Sequence, residues 1–148
     1  MIRVKKPMMT YRKIQGLTLI EGVTTLALIA ILIIIAIPTY YSYARRNYFS
    51  QIIALTFPYK SAVEKCYQNT GMLENCNAGT NGIPPMINSN SATNLIELLT
   101  VTRGRITVVP LAKNGVTAKD NYILTPVIRR NKIFWATAGG SVENGYAN

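Results

Sequence analysis

The 148-residue chain contains no histidine, only 6 acidic residues and only two cysteines. Without histidine, the Ser-His-Asp and Cys-His catalytic arrangements are excluded, and the commonest metal ligand is missing. An acid–base pair would have to come from scattered residues such as Glu97 and Asp120, each of which is typical of a solvated surface. No glycine-rich phosphate loop follows a strand. The sequence therefore predicts a protein that is not an enzyme and that uses no metal or cofactor.

Charge is absent from one long stretch of the chain. Residues 22–44 carry no charged side chain, and their centre is the aliphatic run LALIAILIIIAI. A helix of this length matches the hydrocarbon thickness of a bilayer, roughly 30 Å. Five basic residues precede the stretch: Arg3, Lys5, Lys6, Arg12 and Lys13. Such a cluster stays on the cytoplasmic side, so the pattern predicts a membrane segment followed by an exported part.

Residues 1–44 fit three interpretations. A secretory signal peptide would be cut after Ala44, but the apolar run is longer than usual and bulky tyrosines crowd this position. A plain signal anchor accounts for the length and the charge and leaves Glu21 as an unexplained cost. The third interpretation starts from the residues around Glu21.

The sequence QGLTLIE at 15–21, followed by the aliphatic run, resembles the N-terminal motif of type IV pilins and their relatives. Further positions match the family's proline, tyrosine and basic residues: Pro38, Tyr40, Tyr43, Arg46 and Pro58. In this family a prepilin peptidase cuts after the glycine, and the new N-terminal residue is methylated. The resemblance implies cleavage between Gly16 and Leu17, N-methylation of Leu17, and loss of 1–16 as a basic leader. Leu17 replaces the family's customary phenylalanine.

The resemblance also implies a function for Glu21. A carboxylate in a membrane helix is costly and is normally paired. In the family its partner is the N-terminal amine, here that of Leu17, on an adjacent subunit or on the same one. We expect Glu21 to set the register between subunits while neighbouring aliphatic helices bury their faces. The alternative is a carboxylate that reaches the lipid headgroups.

Two prolines, Pro38 and Pro58, interrupt the predicted helix, and we expect each to kink it. An internal proline removes one backbone hydrogen bond and clashes with the carbonyl four residues earlier. Pro38 would either ease bending of the apolar half during assembly or produce a static kink. The sequence leaves both open.

Beyond the apolar half, the helical pattern continues to about Gln68. Its apolar stripe consists of Ile52, Thr56, Tyr59, Val63 and Cys66, at spacings of three and four residues. Asn69, Thr70 and Gly71 form a plausible stop, with glycine just past the helix end. The stripe predicts a helix surface that packs on a globular head.

Both cysteines, Cys66 and Cys76, lie in the part predicted to be exported. An oxidising compartment favours a bridge between close cysteines, and a pair with no other ligands is a poor metal site. We expect a Cys66–Cys76 disulfide that joins the helix end to a loop rich in Gly, Asn, Ser, Thr and Pro. In many type IVa pilins the bridge instead encloses a C-terminal loop.

The remaining segments GRITVVPLA, NYILTPVIRR and KIFWATAG are predicted strands, with turns at 113–115 and 130–132. The segment 94–101 fits a strand or a short helix, and Trp135 is expected in the core. The predicted fold class is α+β, a long N-terminal helix whose second half packs on a small antiparallel sheet. The resemblance implies this pilin fold as well.

The predicted organisation is a leader (1–16), a hydrophobic membrane and assembly half-helix (17–44) and an exported head (45–148). The resemblance implies a structural subunit of a type IV pilus, a surface fibre for adhesion, twitching motility or DNA uptake. Expected partners are further copies of the chain, the prepilin peptidase, the pilus assembly machinery and a host surface. The expected location is the bacterial inner membrane before assembly and an extracellular pilus afterwards.

The alternative is a minor pilin or a type II secretion pseudopilin. Pseudopilins often carry a calcium site, for which the final third of the chain offers only Asp120 and Glu143 as acids. Five basic residues could gather on one sheet face and contact DNA or another anion: Arg103, Arg105, Arg129, Arg130 and Lys132. The commoner case for such residues is a solvated basic surface.

Overall fold

A computed structural model describes Gly16, residues 18–89 and residues 94–147. The described chain contains a long helix, α1 (Leu19–Thr70), and a short helix, α2 (Gly140–Glu143). The five strands are β1 (Ile87–Asn88), β2 (Ile96–Thr102), β3 (Arg105–Pro110), β4 (Tyr122–Arg129) and β5 (Lys132–Ala138). The chain divides into two compact units between Ile37 and Pro38, and each is described by itself.

The first unit holds the beginning of α1. By length and composition α1 is long and apolar enough to cross a membrane, and none of its most apolar window is buried. A helix suits such a segment because all its backbone hydrogen bonds lie within the segment, as a hydrocarbon environment requires.

In the second unit, α1 buries one stripe of side chains. Every residue of the predicted stripe is buried, and Tyr48 and Phe49 extend it towards the N-terminus. The helix ends at Thr70, two residues later than predicted. Gly71 follows with a φ of 70°, and its N–H donates to the Tyr67 carbonyl at 2.8 Å. Glycine adopts this left-handed conformation at low cost, so the predicted stop signal is confirmed.

The five strands form one antiparallel sheet in the order β1-β2-β3-β4-β5. The three predicted strands are confirmed, and the ambiguous segment is the strand β2. Sheet and helix share one core, in which the largest fully buried strand side chains are Ile96, Leu99, Val101, Ile106, Val108 and Leu124. The alternation of buried and exposed residues along β2 and β3 explains why these segments form strands with one face on α1.

Two tight turns close the hairpins. Arg103 and Gly104 join β2 to β3, and Arg130 and Asn131 join β4 to β5, all four with positive φ. Two-residue hairpin turns of this kind match the twist of the strands. The predicted Asn114–Gly115 turn is present, but it lies within the long β3–β4 connection, where a bridge pairs Lys113 with Val116. The sequence did not predict the Arg103–Gly104 turn.

Trp135 is half-buried and packs against the core, so it lies at the margin of the predicted position. Its indole Nε1–H donates to Glu64 Oε1 at 2.9 Å, and the Lys60 ammonium lies 5.6 Å from its ring centroid. An indole N–H needs an acceptor, and the exposed side of α1 provides one at the margin of the core.

Candidate functional site

The start of α1 carries a helix cap that includes the predicted assembly residue. The Glu21 N–H donates to Thr18 Oγ1 at 3.4 Å, and the Gly22 N–H donates to the Thr18 carbonyl at 3.0 Å. Thr18 therefore acts as the N-cap, and Glu21 occupies the third helical position. A carboxylate there is favoured by the positive end of the helix dipole. The Glu21 side chain itself is exposed.

The aliphatic side chains after Glu21 are also exposed. Ile34, for example, retains 71% of its accessible surface, and Leu32 retains 67%. Monomeric soluble proteins rarely present so large a contiguous apolar surface, which marks a membrane or an association interface. The carboxylate thus lies at the beginning of a helix whose apolar side chains still need an apolar environment.

Cys66 and Cys76 form a disulfide, and both are buried. Cys76 and the two residues after it hold the β2–β3 hairpin through three hydrogen bonds. The Cys76 carbonyl accepts from the Gly104 N–H at 2.8 Å, Asn77 Oδ1 accepts from the Arg103 N–H at 2.9 Å, and the Ala78 N–H donates to the Val101 carbonyl at 2.9 Å. Glycine suits position 104 because its φ of 74° is a left-handed conformation that glycine adopts at low cost. The disulfide loop therefore fixes one basic hairpin.

The five predicted anion-contact residues lie at one end of the sheet. In an antiparallel meander the β2–β3 and β4–β5 turns point to the same end. Arg103 and Arg105 line a cavity of about 390 Å³ together with Leu73 and Pro126. The other three residues, Arg129, Arg130 and Lys132, line a second cavity of about 460 Å³ beside Phe134. All five are exposed, and none has an ion pair among the described residues.

Comparison with solved structures shows the fold. The chain resembles the solution NMR structure of the major type IV pilin PpdD from enterohemorrhagic Escherichia coli, with a TM-score of 0.52. The likeness covers 66% of this chain and 70% of the pilin at 24% sequence identity. The predicted α+β fold, a long helix followed by a small antiparallel sheet, is thereby confirmed.

Comparison with curated proteins adds sequence similarity. The type IV pilus subunit protein TapA of Aeromonas hydrophila is 39% identical over 74 residues, which are 50% of this chain and 52% of the relative. Prepilin peptidase-dependent protein D of Escherichia coli K12 is 35% identical over 96 residues, 65% of this chain and 63% of the relative. The chain is thus similar in sequence to type IV pilus proteins over 50% to 65% of its length.

A third similar protein is the fimbrial protein EcpC of Eikenella corrodens, which is 33% identical over 93 residues, 63% of this chain and 60% of EcpC. No protein-family model matches the chain. The chain spans less than two thirds of the length of each of these curated relatives. The comparisons confirm the resemblance and support a subunit of the type IV pilin or pseudopilin class.

Part of the predicted processing site lies outside the described residues, namely Leu17 and 1–15. Gly16 is described and exposed. Pro38 and Pro58 both lie inside α1, and their expected kinks remain predictions.

The structure contains a contact between Arg45 and the C-terminal tail that the sequence did not predict. Arg45 Nη1 donates to the Tyr146 hydroxyl at 3.0 Å, and Arg45 Nε donates to the Asn114 carbonyl at 3.3 Å. The guanidinium lies 5.5 Å from the Tyr146 ring centroid, and this ring stacks on Phe49 at 5.7 Å. Arg45 thereby joins α1 to two distant loops. No local sequence signal distinguishes it from its neighbour Arg46.

Asp120 is buried within a hydrogen-bond network, so its expected place on a solvated surface is wrong. Its carboxylate accepts from the Thr117 N–H at 2.8 Å, from the Thr117 hydroxyl at 3.1 Å and from Asn144 Nδ2 at 2.7 Å. Both oxygens thus face donors rather than a cation. Within the described residues no group of three metal-binding side chains occurs. Asp120 instead joins the β3–β4 connection to the C-terminal tail.

Proposed function

We propose that the chain, once cut between Gly16 and Leu17 and methylated on Leu17, is a structural subunit of a type IV pilus. The observation that supports this best is the exposed aliphatic helix whose first turn is capped by Thr18 and carries Glu21. A helix with this surface suits two successive environments, the inner membrane before assembly and the packed helices of a fibre afterwards. The pilus relatives are consistent with this interpretation.

The aliphatic side chains and the Glu21 carboxylate would have different roles in assembly. The aliphatic side chains supply non-directional association, at about 25 cal/mol per Å² of apolar surface removed from water. Such association does not fix the relative positions of two helices, because aliphatic surfaces slide past each other. The Glu21 carboxylate would pair with the amine of processed Leu17, on an adjacent subunit or on its own. Only one register satisfies this pair in an apolar surrounding, where an unpaired charge is costly.

The subunit would act with a prepilin peptidase, the assembly machinery and further copies of itself, and its fibre would serve adhesion, twitching motility or DNA uptake. Its principal alternative is a minor pilin or a pseudopilin. Intact mass and N-terminal sequencing of fibres sheared from the producing cells separate the two. A main component that starts at methylated Leu17 supports the structural subunit. A trace component supports the alternative.

Glu21 provides the test of the register hypothesis. We expect Glu21→Ala to be inserted and processed normally and to reduce the amount of sheared fibres at least tenfold, because the charge that fixes the register is lost. Immunoblots of membrane and sheared fractions measure both quantities. Glu74→Gln, which removes an exposed carboxylate from the head, is the matched control. Normal fibres from Glu21→Ala contradict the hypothesis.

A second candidate function, contact with DNA, rests on the placement of the two basic hairpins at one end of the sheet. Phosphate contacts by Arg and Lys give salt-dependent affinity that is independent of sequence. An acid on the adjoining part of α1, Glu64, borders a neighbouring cavity with Lys132 and accepts the Trp135 N–H. The carboxylate is thus engaged by a neutral donor and leaves the arginines unpaired.

The DNA hypothesis is tested with fluorescence anisotropy of a labelled duplex against the full chain in detergent. We expect Arg129→Gln/Lys132→Gln to weaken binding about tenfold and to lower the salt slope by about two, one for each phosphate contact. Lys113→Gln/Lys119→Gln removes the same charge from the β3–β4 connection at the other end of the sheet. An equal loss in this control, or no binding at low salt, contradicts a specific surface.

A further inference from the structure

An open groove lies on α1 just after the aliphatic run. It has a volume of about 480 Å³, and its lining consists of Pro38, Thr39, Ser42, Tyr43 and Arg46. The lining combines one cation, three hydroxyl groups and an aromatic ring. The neighbouring Tyr40 retains 69% of its accessible surface, so an aromatic surface continues beside the groove.

Two adjacent arginines at this point have different surroundings. Arg45 is half-buried and holds the C-terminal tail through Tyr146 and the β3–β4 connection through Asn114. Arg46 is exposed and has no hydrogen bond or ion pair within the described part of the chain. The guanidinium of Arg46 is therefore available to an external anion, whereas that of Arg45 is not.

The position of the groove along the sequence indicates which anion it meets. Residues 22–44 are uncharged and match the hydrocarbon thickness of a bilayer. Arg46 is thus the first cation without a partner after the membrane segment. Tyrosines such as Tyr40 and Tyr43 are enriched at the level of the lipid headgroups. In the membrane stage of the proposed function, the groove would lie among phospholipid headgroups on the exported side.

We propose that this groove binds the phosphate of an anionic phospholipid before the subunit assembles. The planar guanidinium of Arg46 presents two parallel N–H donors, a geometry that fits two phosphate oxygens. Ser42 Oγ donates its proton to the Pro38 carbonyl at 3.1 Å, so it offers only lone pairs to a ligand. A hydroxylated headgroup such as that of phosphatidylglycerol can donate to it, whereas the choline headgroup of phosphatidylcholine has no donor. The Tyr43 ring would lie along the glycerol and the upper acyl chains.

The experiment uses the full chain in nanodiscs with equal amounts of phosphatidylglycerol and phosphatidylcholine. Native mass spectrometry after release counts the lipids retained. We expect a several-fold preference for phosphatidylglycerol, lost in Arg46→Gln and partly kept in Arg46→Lys, with the Tm of the head unchanged. The matched control is Arg45→Gln, which should keep the preference and lower the Tm.

Three results would overturn the lipid site. The first is an equal preference in the original chain and in Arg46→Gln, as expected if Arg46 instead meets a carboxylate of a neighbouring subunit. The second is loss of the lipid on addition of millimolar inorganic phosphate, which would indicate a site for free anions. The third is failure to insert into nanodiscs, which would also overturn the membrane stage on which this inference rests. Insertion without lipid preference overturns the lipid site alone.

Discussion

The two halves of α1 have the same secondary structure and opposite surfaces. Before Pro38 the aliphatic side chains are exposed around the helix, whereas from Tyr48 onwards one stripe is buried and the other side is mostly polar. The first half satisfies its backbone internally and leaves its side chains for a membrane or for other helices. The second half gains its stability from one head domain. The side chains of a helix can therefore be determined by the environment that the helix enters as well as by the fold of its own chain.

The largest expected effect is a loss of stability on truncation of a core residue. Only the second half of α1 contributes such residues. Phe49 is fully buried and stacks on Tyr146, so Phe49→Ala should destabilise the head by about 3–5 kcal/mol. Ile34→Ala should leave the thermal unfolding of the head unchanged and lower the yield of fibres, because the Ile34 side chain is exposed and lies outside the core of the head. Calorimetry and fibre quantification provide the two measurements. A destabilised head in Ile34→Ala would remove the distinction between the halves.

The disulfide gives the next largest effect, confined to the second half. In the chain-entropy model, the short loop closed by this bridge predicts that Cys66→Ser/Cys76→Ser lowers the free energy of unfolding by roughly 2–3 kcal/mol. The β2–β3 turn should lose order as well, because Cys76 and the two residues after it hold this hairpin by hydrogen bonds. Hydrogen exchange of the Gly104 amide reports on the turn, and the Leu124 amide in the central part of the sheet is the reference. Equal acceleration of both amides would indicate global unfolding rather than release of one hairpin.

The smallest effect concerns the pH dependence of the head. Burial raises the pKa of Tyr122 above its ordinary value near 10. Because the folded-state pKa is the higher one, this contribution is fully present below pH 10 and is lost as pH rises through the folded-state value. Tyr122→Phe should therefore change stability little at pH 7 and weaken the decline above pH 10. Urea unfolding at several pH values measures the free energy of unfolding. If the stability of Tyr122→Phe declines above pH 10 as steeply as that of the original chain, Tyr122 is not the source of the decline.

Much of the fold could be predicted because its signals are local. The uncharged run at residues 22–44 indicates the membrane segment by its composition. The spacing of the buried stripe reflects the period of a single helix. The strands followed from β-branched and aromatic composition. The Arg103–Gly104 hairpin was missed because an arginine with positive φ carries little sequence signal, and its conformation is supported by Asn77 from a different loop.

The sequence by itself determined the class of the protein, through the motif at 15–21 and the uncharged run, since charge and hydropathy act without regard to tertiary contacts. It also contained the Thr18–Glu21 helix cap, which a search for Thr-x-x-Glu would have found. Only the tertiary structure decided which basic residues share one end of the sheet. It also decided that Arg45 holds the tail while Arg46 stays free. Two adjacent arginines are equivalent in sequence, and the helix turns their side chains by about 100° relative to each other, so that only one reaches the head.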